Sequence, residues 1–154
     1  RAYSGLKTEM PLVIVGDAPY GRDYIEELRS AADNRVIFTG FQFGESYREL
    51  RSNCYLYIQA TEVGGTHPAL VEAMAYGNCV VANCVPEHRE VLEDAGFYYE
   101  RNDFDELRVR LSELIESPAM VKAAAERARA LAQVNFNWED IVTEYEKLFL
   151  EVLK

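Results

Sequence analysis

The sequence predicts an α/β domain with a Rossmann-like, doubly wound parallel sheet, followed by a helical C-terminal segment. Three observations predict this fold. Short apolar runs such as LVIV at 12–15 alternate with longer segments of helical period, the pattern of parallel βαβ units. These runs are almost continuously apolar, as in strands that helices cover on both faces. Beyond Asp103 the strand pattern stops and only helical periodicity remains.

Five strands and four connecting helices are predicted along the first two thirds of the chain. The predicted strands cover residues 12–16, 35–40, 55–60, 79–83 and 96–100. The predicted helices cover residues 24–32, 45–53, 68–76 and 87–94. The helix at 68–76 has the clearest limits, because Pro68 opens it and Gly77 follows its last residue.

The last third of the chain is predicted to be entirely helical. Asp103 and Glu106 fit a capping box at the start of one helix, and Ser117 before Pro118 marks the start of the next. The final helix carries a broad apolar face that must pack on something, made of Ile141, Val142, Tyr145, Leu148, Phe149, Val152 and Leu153. No linker or repeat interrupts the pattern, so residues 1–154 are predicted to form a single domain.

Charge and cysteine content restrict the partners and the compartment. The 154 residues include 16 basic and 26 acidic side chains, and the net charge of −10 argues against a nucleic acid or an anionic membrane as partner. No apolar run approaches the roughly 20 residues of a membrane span, and the N-terminal segment is not predicted to be a signal peptide. Cys54, Cys79 and Cys84 form no CxxC pair, so we expect reduced thiols and a cytoplasmic location.

Ligands of doubly wound sheets bind beyond the carboxyl ends of the strands, so the loops after the strands are the candidate sites. After the third strand, Gly64 and Gly65 precede Thr66, His67 and Pro68. Backbone N–H groups at a helix start favour an anion, and two glycines would let a phosphate approach the backbone. Thr66 adds a hydroxyl and His67 a ring nitrogen. The alternative is a tight connection with a helix cap at Thr66 or His67.

Three other features belong to the same edge of the sheet. Glu72 lies among small apolar residues and could accept hydrogen bonds from a vicinal diol such as ribose, although glutamate at such a position is ordinarily solvent-facing. The segment FTGFQFG at 38–44 could line a nucleobase pocket or add its aromatic rings to the core. After the first strand, Gly16 allows close backbone approach to a ligand and Asp17 suits a turn.

The motifs of several other site classes are absent from the sequence. There is no GxGxxG fingerprint for a dinucleotide, and no GxSxG elbow accompanies His67 or His88. Two histidines without an HExxH motif argue against a metal site. We therefore expect neither a cofactor nor a metal ion.

Four segments together resemble the C-terminal domain of GT-B glycosyltransferases of family 4. They are LVIVGDAP, VIFTGF, YLYIQATEVGGTHPALVEAMAYGNCVVA and FNWEDIVTEYEKLF. The block from Gly64 to Met74 is the specific part, and the resemblance runs from about Met10 to the end of the chain. It is most pronounced for the rhamnosyltransferase-like enzymes of bacterial polysaccharide biosynthesis.

The resemblance implies a domain that binds a UDP-, GDP- or TDP-linked sugar in a retaining glycosyltransferase, without a metal in this half. By position, Glu72 matches the family glutamate that accepts the ribose hydroxyls. Residues 64–67 match the loop whose backbone amides meet the sugar and the diphosphate.

Two further loops match the family by position. Gly40, Phe41 and Gln42 match the loop that passes the base. Gly16 and Asp17 match the loop behind the phosphates. On this resemblance, these residues complete the predicted donor-binding site.

The sequence departs from the family pattern at two places. The family has a second glutamate eight positions before the one that matches Glu72, where this chain has Gly64; Glu62, two residues earlier, is a further candidate for contact with the sugar. The chain also begins at what resembles the helix after the first family strand. The first strand–helix unit, its phosphate-binding arginine and lysine, and the N-terminal acceptor domain are therefore expected to be missing.

Three functions are compatible with these features. The first is a donor-binding domain that is inactive alone, that needs the N-terminal acceptor domain as partner and that meets a membrane only through that half. The second is a non-catalytic nucleotide-binding or assembly module, in which a homodimer supplies a missing strand. The third is a flavodoxin-like or epimerase-like domain, which lacks an acidic receiver cluster and a dinucleotide fingerprint.

Overall fold

The computed structural model describes residues 1–153 and has the strands and helices in the predicted order. The strands are β1 (Leu12–Val15), β2 (Val36–Gly40), β3 (Leu56–Gln59), β4 (Cys79–Asn83) and β5 (Phe97–Tyr99). The helices are α1 (Arg22–Ala31), α2 (Gly44–Ser52), α3 (Pro68–Ala75), α4 (Pro86–Leu92), α5 (Phe104–Glu116), α6 (Pro118–Asn135) and α7 (Trp138–Val152). A short 3-10 helix, Tyr3–Gly5, precedes β1, where the sequence resembled the end of a longer helix. The α/β class is confirmed.

The strand pairings are all parallel, as predicted, but the strands form two hydrogen-bonded groups. β1 pairs with β2, and β4 lies between β3 and β5. Within residues 1–153, no strand pairs with the second edge of β1 or of β3. The predicted doubly wound sheet is thus divided into two groups of strands within the described part of the chain.

β4 lies at the centre of the three-stranded group, and all of its residues are buried. Its side chains alternate between two faces. Val81 packs in a cluster with Leu111 of α5, whereas Val80 packs in a second cluster with Leu70 of α3. Helices therefore cover both faces, which explains why the run CVVA is apolar throughout and confirms the doubly wound, Rossmann-like packing of this group.

The start of α5 shows the predicted N-cap with one difference. The Asp103 carboxylate accepts hydrogen bonds from the backbone N–H groups of Asp105 at 3.0 Å and Glu106 at 2.9 Å. In a capping box the Glu106 carboxylate would return to the N–H of Asp103. It instead accepts from the N–H of Glu100 at 2.6 Å, because the N–H of Asp103 already donates to the carbonyl of Glu100.

The final helix, α7, departs from the sequence-based expectation. Its apolar face was predicted to pack, but no residue of α7 is buried within the described chain. Trp138 at its start is 75% exposed. Tyr145 and Phe149 contact each other, with ring centroids 6.1 Å apart, and their side chains remain open to solvent.

The cysteines and the membrane prediction can be checked against the same residues. Cys54, Cys79 and Cys84 are free thiols. Burial raises the pKa of the Cys79 thiol to about 12, so this residue stays protonated and acts as a small packing side chain. None of the helices in residues 1–153 combines the length and the hydropathy needed to cross a bilayer.

Candidate functional site

The loops after β1 and β2 meet at the predicted edge of the sheet. The N–H of Gly16 donates to the carbonyl of Gly40 at 2.8 Å, which joins the two strand ends. Both glycines have positive φ angles, +123° and +65°, so the chain turns at both positions in conformations that favour glycine. Asp17 accepts a hydrogen bond from the N–H of Ala18 at 2.7 Å, as expected of a turn residue.

Phe41 and Phe43 lie on the surface next to this junction. Their rings are stacked with centroids 6.2 Å apart, and both side chains are exposed. The interpretation that these aromatic rings belong to the core is therefore wrong for both. Gln42, between them, donates from its side-chain amide to the carbonyl of Thr39 at 2.9 Å, which fixes the turn that presents the two rings.

The loop after β3 has the geometry of an open anion site. His67 is the N-cap of α3, and its carbonyl accepts a hydrogen bond from the N–H of Leu70 at 2.9 Å. Within residues 1–153, the backbone amides of Gly64, Gly65 and Thr66 donate to no other protein group, and these residues are exposed. Unpartnered N–H groups at the positive end of a helix can receive an anion.

The two glycines of this loop serve different purposes. A Cβ atom at Gly64 would lie 2.5 Å from Cε1 of His67, so Gly64 makes room for the imidazole ring. A Cβ atom at Gly65 would have no neighbour within 4 Å. Gly65 therefore leaves free space beside the amides.

His67 belongs to a hydrogen-bonded group that the sequence did not reveal. Its ring lies 4.9 Å from that of the buried His88, measured between centroids. The Thr61 hydroxyl contacts Nε2 of His88 at 3.0 Å and Nε2 of His67 at 3.4 Å. It also accepts from the Gln59 amide at 2.7 Å.

The tautomers of both histidines follow from this network. Nδ1 of His88 lies 2.8 Å from the carbonyl of Asn83, which can only accept, so Nδ1 carries the proton. Burial lowers the pKa of His88 and keeps the ring neutral. Nε2 of His88 then accepts the proton of Thr61, and Nε2 of His67 must be the donor to Thr61. When the His67 ring is neutral, this tautomer leaves its Nδ1 atom as a free acceptor at the loop.

Glu72 is held from the side of α2. The hydroxyl of Tyr47 donates to Oε2 of Glu72 at 2.5 Å and accepts from Nη2 of Arg51 at 2.5 Å. Nη2 of Arg51 lies 3.7 Å from the same carboxylate oxygen. The Glu72 side chain is 49% exposed, so it faces solvent while its orientation is fixed. Its Oε1 atom has no hydrogen-bond partner among residues 1–153.

Glu62 is engaged by a different partner. Its Oε1 accepts hydrogen bonds from Nη2 of Arg101 at 2.6 Å and from Nε at 3.1 Å. Arg101 lowers the pKa of the Glu62 carboxyl below its ordinary value. Glu62 is therefore an ionised, paired carboxylate at the loop after β3. A cavity of about 560 Å³ is lined by Arg1, Ala2, Arg101, Asn102 and residues of α5 and its N-cap, and contains none of the predicted donor-site residues.

The chain matches a known protein family over most of its length. The sequence model described as glycosyl transferases group 1 matches residues 1–117. The chain belongs to the glycosyl transferases group 1 family. The chain is 31% identical over 151 residues to an uncharacterized glycosyltransferase of Methanocaldococcus jannaschii, a match that covers 94% of the chain and 38% of that relative. It is 27% identical to the N-acetyl-alpha-D-glucosaminyl L-malate synthase of Bacillus anthracis, with coverage of 100% and 41%.

Solved structures support the same assignment. The Anabaena HepE crystal structure in complex with UDP matches the chain with a TM-score of 0.89 at 26% identity, covering 97% of the chain and 43% of HepE. The HepE structure in complex with UDP-glucose matches with a TM-score of 0.87. The chain thus spans about two fifths of the length of these relatives. The resemblance to the GT-B C-terminal domain is confirmed, whereas the rhamnosyltransferase-like detail stays a prediction.

Two hydrogen bonds hold predicted site residues of the chain at the carboxyl ends of the strands. One joins Gly16 to Gly40, and the other links Thr61 to His67. Glu72 follows on the helix that His67 caps. Tyr47 and Arg51, which hold Glu72, were missed; the available signal was their i, i+4 spacing on a helix that directly follows the predicted base loop.

Proposed function

We propose that the chain is the donor-binding domain of a retaining glycosyltransferase and that it binds a nucleotide-sugar at the carboxyl ends of its strands. One observation carries the proposal: unpartnered amides at Gly64, Gly65 and Thr66 adjoin the helix that presents a half-exposed, oriented Glu72 carboxylate. The amides suit a diphosphate, and the carboxylate suits a ribose diol. The UDP and UDP-glucose complexes of HepE agree with such a ligand.

The remaining loops have complementary roles in this proposal. The exposed rings beside Gly40 and Gln42 face the base, with Phe41 as the residue in contact. Gly16 and Asp17 lie behind the diphosphate, and Nδ1 of His67 accepts a hydrogen bond from the sugar. These contacts require no metal ion. Sugar transfer itself needs an acceptor held in the same cleft, so the chain alone binds the donor without transferring it.

The experiment that tests this proposal is calorimetric titration of the chain with UDP, GDP and TDP. We expect one nucleotide to bind and Glu72→Ala to weaken its binding by roughly ten- to a hundredfold, the range that corresponds to loss of hydrogen bonds to a charged group. Glu126→Ala, which removes an exposed glutamate of α6, is the matched control and should bind like the parent. Absence of binding by the parent chain would contradict the proposal.

Gly65→Val tests the diphosphate loop in the same titration. Because a Cβ atom at this position meets no protein atom within 4 Å, the substitution should leave the thermal unfolding midpoint almost unchanged. Its branched side chain would occupy the space beside the amides, so nucleotide binding should be lost. Parental affinity in this variant would show that the ligand does not approach the loop from this side.

A second candidate function is favoured by the divided sheet. β1 and β3 each leave one edge without a partner strand in residues 1–153, and such edges can pair with another chain. The chain would then be a non-catalytic assembly module. Size-exclusion chromatography with light scattering distinguishes the two functions, because a monomer at low micromolar concentration contradicts strand pairing between copies.

A further inference from the structure

Arg51 is a buried cation that is held by contacts from several elements. Only 7% of the residue is exposed, although it lies at the end of a surface helix. Nη1 donates to the carbonyl of Ala69 at 2.9 Å, and the guanidinium lies over the rings of Tyr47 and Tyr57, with 4.9 and 4.7 Å to their centroids. The side-chain amide of Asn78 holds its backbone carbonyl at 2.8 Å. Arg51 is therefore fixed at the junction of α2 and α3.

The hydroxyl of Tyr47 lies between this cation and Glu72. It accepts from Arg51 and donates to Glu72, each at 2.5 Å, so its one proton is committed to the carboxylate. Burial and the hydrogen bond to Glu72 raise the pKa of Tyr47, which keeps the hydroxyl protonated for this role. The buried Arg51 therefore orients the half-exposed Glu72 carboxylate through the Tyr47 hydroxyl.

We propose that Tyr47 and Arg51 are positioning residues that set the Glu72 carboxylate to receive both hydroxyls of a ribose, so that the site selects ribonucleoside over deoxyribonucleoside diphosphates. The inference rests on the proposed function. Tyr47 uses one lone pair of Oε2, which leaves the second lone pair and the whole of Oε1 for a diol. A TDP-linked sugar lacks the 2′-hydroxyl, so the expected donor is a sugar linked to a ribonucleoside diphosphate.

Tyr47 acts as a spacer in this arrangement. Nη2 of Arg51 is only 3.7 Å from Oε2 of Glu72, close enough for a direct ion pair after a small rotation of either side chain. Without the Tyr47 hydroxyl, the carboxylate would turn toward the buried guanidinium, because an unpaired charge there is costly. Its oxygens would then point into α2 and not toward the ribose. The Tyr47 hydroxyl therefore links Arg51 to Glu72 through hydrogen bonds and prevents their direct ion pair.

The test compares UDP with 2′-deoxy-UDP, and GDP with 2′-deoxy-GDP, in calorimetric titrations of the parent chain and Tyr47→Phe. We expect the parent to prefer the ribonucleotide by about tenfold, and Tyr47→Phe to bring that ratio close to one. Affinity for the deoxynucleotide should change less than affinity for the ribonucleotide. A merely structural role of Tyr47 would weaken both equally and leave the ratio unchanged.

Tyr98→Phe is the matched control. The Tyr98 ring also lies under an arginine, with Arg89 4.7 Å from its centroid, and its hydroxyl donates to the carbonyl of Glu93 at 2.6 Å. It is in β5, outside the proposed site, so the variant should keep the parental ratio. Arg51→Lys is a second positioning variant, since a lysine cannot bond Tyr47 and the Ala69 carbonyl in the same way, and it should also lower the ratio.

The outcomes separate this inference from the proposed function. Binding by the parent with an unchanged ratio in Tyr47→Phe and Arg51→Lys would overturn the positioning role and leave the donor site standing. Parental binding without any preference for the ribonucleotide would overturn the selectivity. Absence of binding by the parent would overturn both proposals. A ratio that falls in the two variants and not in Tyr98→Phe supports the inference.

Discussion

At the scale of single residues, the candidate site depends on a few side chains that are fixed by neighbours from other elements. Glu72 is oriented by Tyr47, and His67 by Thr61, although none of these pairs is adjacent in sequence. Gly64 is needed because the His67 ring occupies the place of its side chain. The pattern of residue types along the chain therefore indicates the loop, whereas tertiary contacts determine which atoms remain free for a ligand.

The buried His88 predicts a dependence of stability on pH. Its pKa in the folded chain lies below the ordinary value of 6.5, so the unfolded chain binds more protons between these two values. The stabilisation from neutral His88 is fully present above about pH 6.5 and is lost as the pH falls through its lowered folded pKa. We expect urea unfolding midpoints to drop on acidification, and to drop less in His88→Gln.

The glutamine in that variant does not titrate and can still donate to Asn83 and accept from Thr61. Its smaller pH dependence would therefore report the histidine charge and not a lost hydrogen bond. If the urea unfolding midpoints of the two proteins fell equally with pH between about pH 7 and 5, His88 would not remain neutral in the folded chain.

The limits of sequence-based prediction are visible in the same residues. Glu72 could be placed by its match to the family, because a helix start and a strand end fix its surroundings. Arg51 could not be predicted, since an arginine at the end of a polar helix is ordinarily solvent-exposed and only tertiary contacts, with Ala69 of α3 and Tyr57 of β3, cover it. Phe41 and Phe43 could not be assigned to the core or to a pocket from the sequence, because it does not show that the turn at Gly40 carries both rings out of the core.

At the scale of elements, caps and prolines set the helix limits. Pro68, Pro86 and Pro118 each open a helix, as their fixed φ angle favours. The strands were predicted from apolar runs to within two residues, because burial on both faces requires such runs. The packing of α7 was not predicted correctly, since an amphipathic pattern shows that a face is apolar without showing what covers it.

The N-cap of α5 gives a prediction at this scale. Asp103→Ala removes two hydrogen bonds to backbone N–H groups at the start of the helix and should reduce the free energy of unfolding by about 1 kcal/mol. Asp103→Asn, which can still accept these bonds, should recover most of that loss. Chemical denaturation of the parent and the two variants measures these free energies of unfolding. A full loss in Asp103→Asn would mean that the charge, and not the cap, stabilises the helix.

At the scale of the whole molecule, the two groups of strands differ in burial. Every residue of β4 is buried, whereas no residue of β1 or β2 is, and α1 contributes no buried residue. The proposed site uses loops from both groups. The loops after β1 and β2, which would lie behind the diphosphate and beside the base, belong to one group, and the diphosphate loop after β3 belongs to the other. Donor binding would therefore link parts of the chain that differ in stability.

Hydrogen exchange followed by mass spectrometry tests this difference. Amides of β4 should exchange slowest, through global unfolding, and amides of β1 and β2 should exchange faster, through local opening. Peptides that cover residues 79–83 provide the internal reference for peptides that cover residues 12–15 and 36–40. Similar protection in all three would show that the chain unfolds as one cooperative unit.

The exposed position of Trp138 has a practical consequence for optical measurements. It is the single tryptophan of the chain, and its indole is already in water at the start of α7. Tryptophan emission will therefore shift little when the chain unfolds, and denaturation is better followed by circular dichroism. The same property makes the indole a local probe, because a blue shift of its emission in the native protein would report directly that another surface has covered the start of α7.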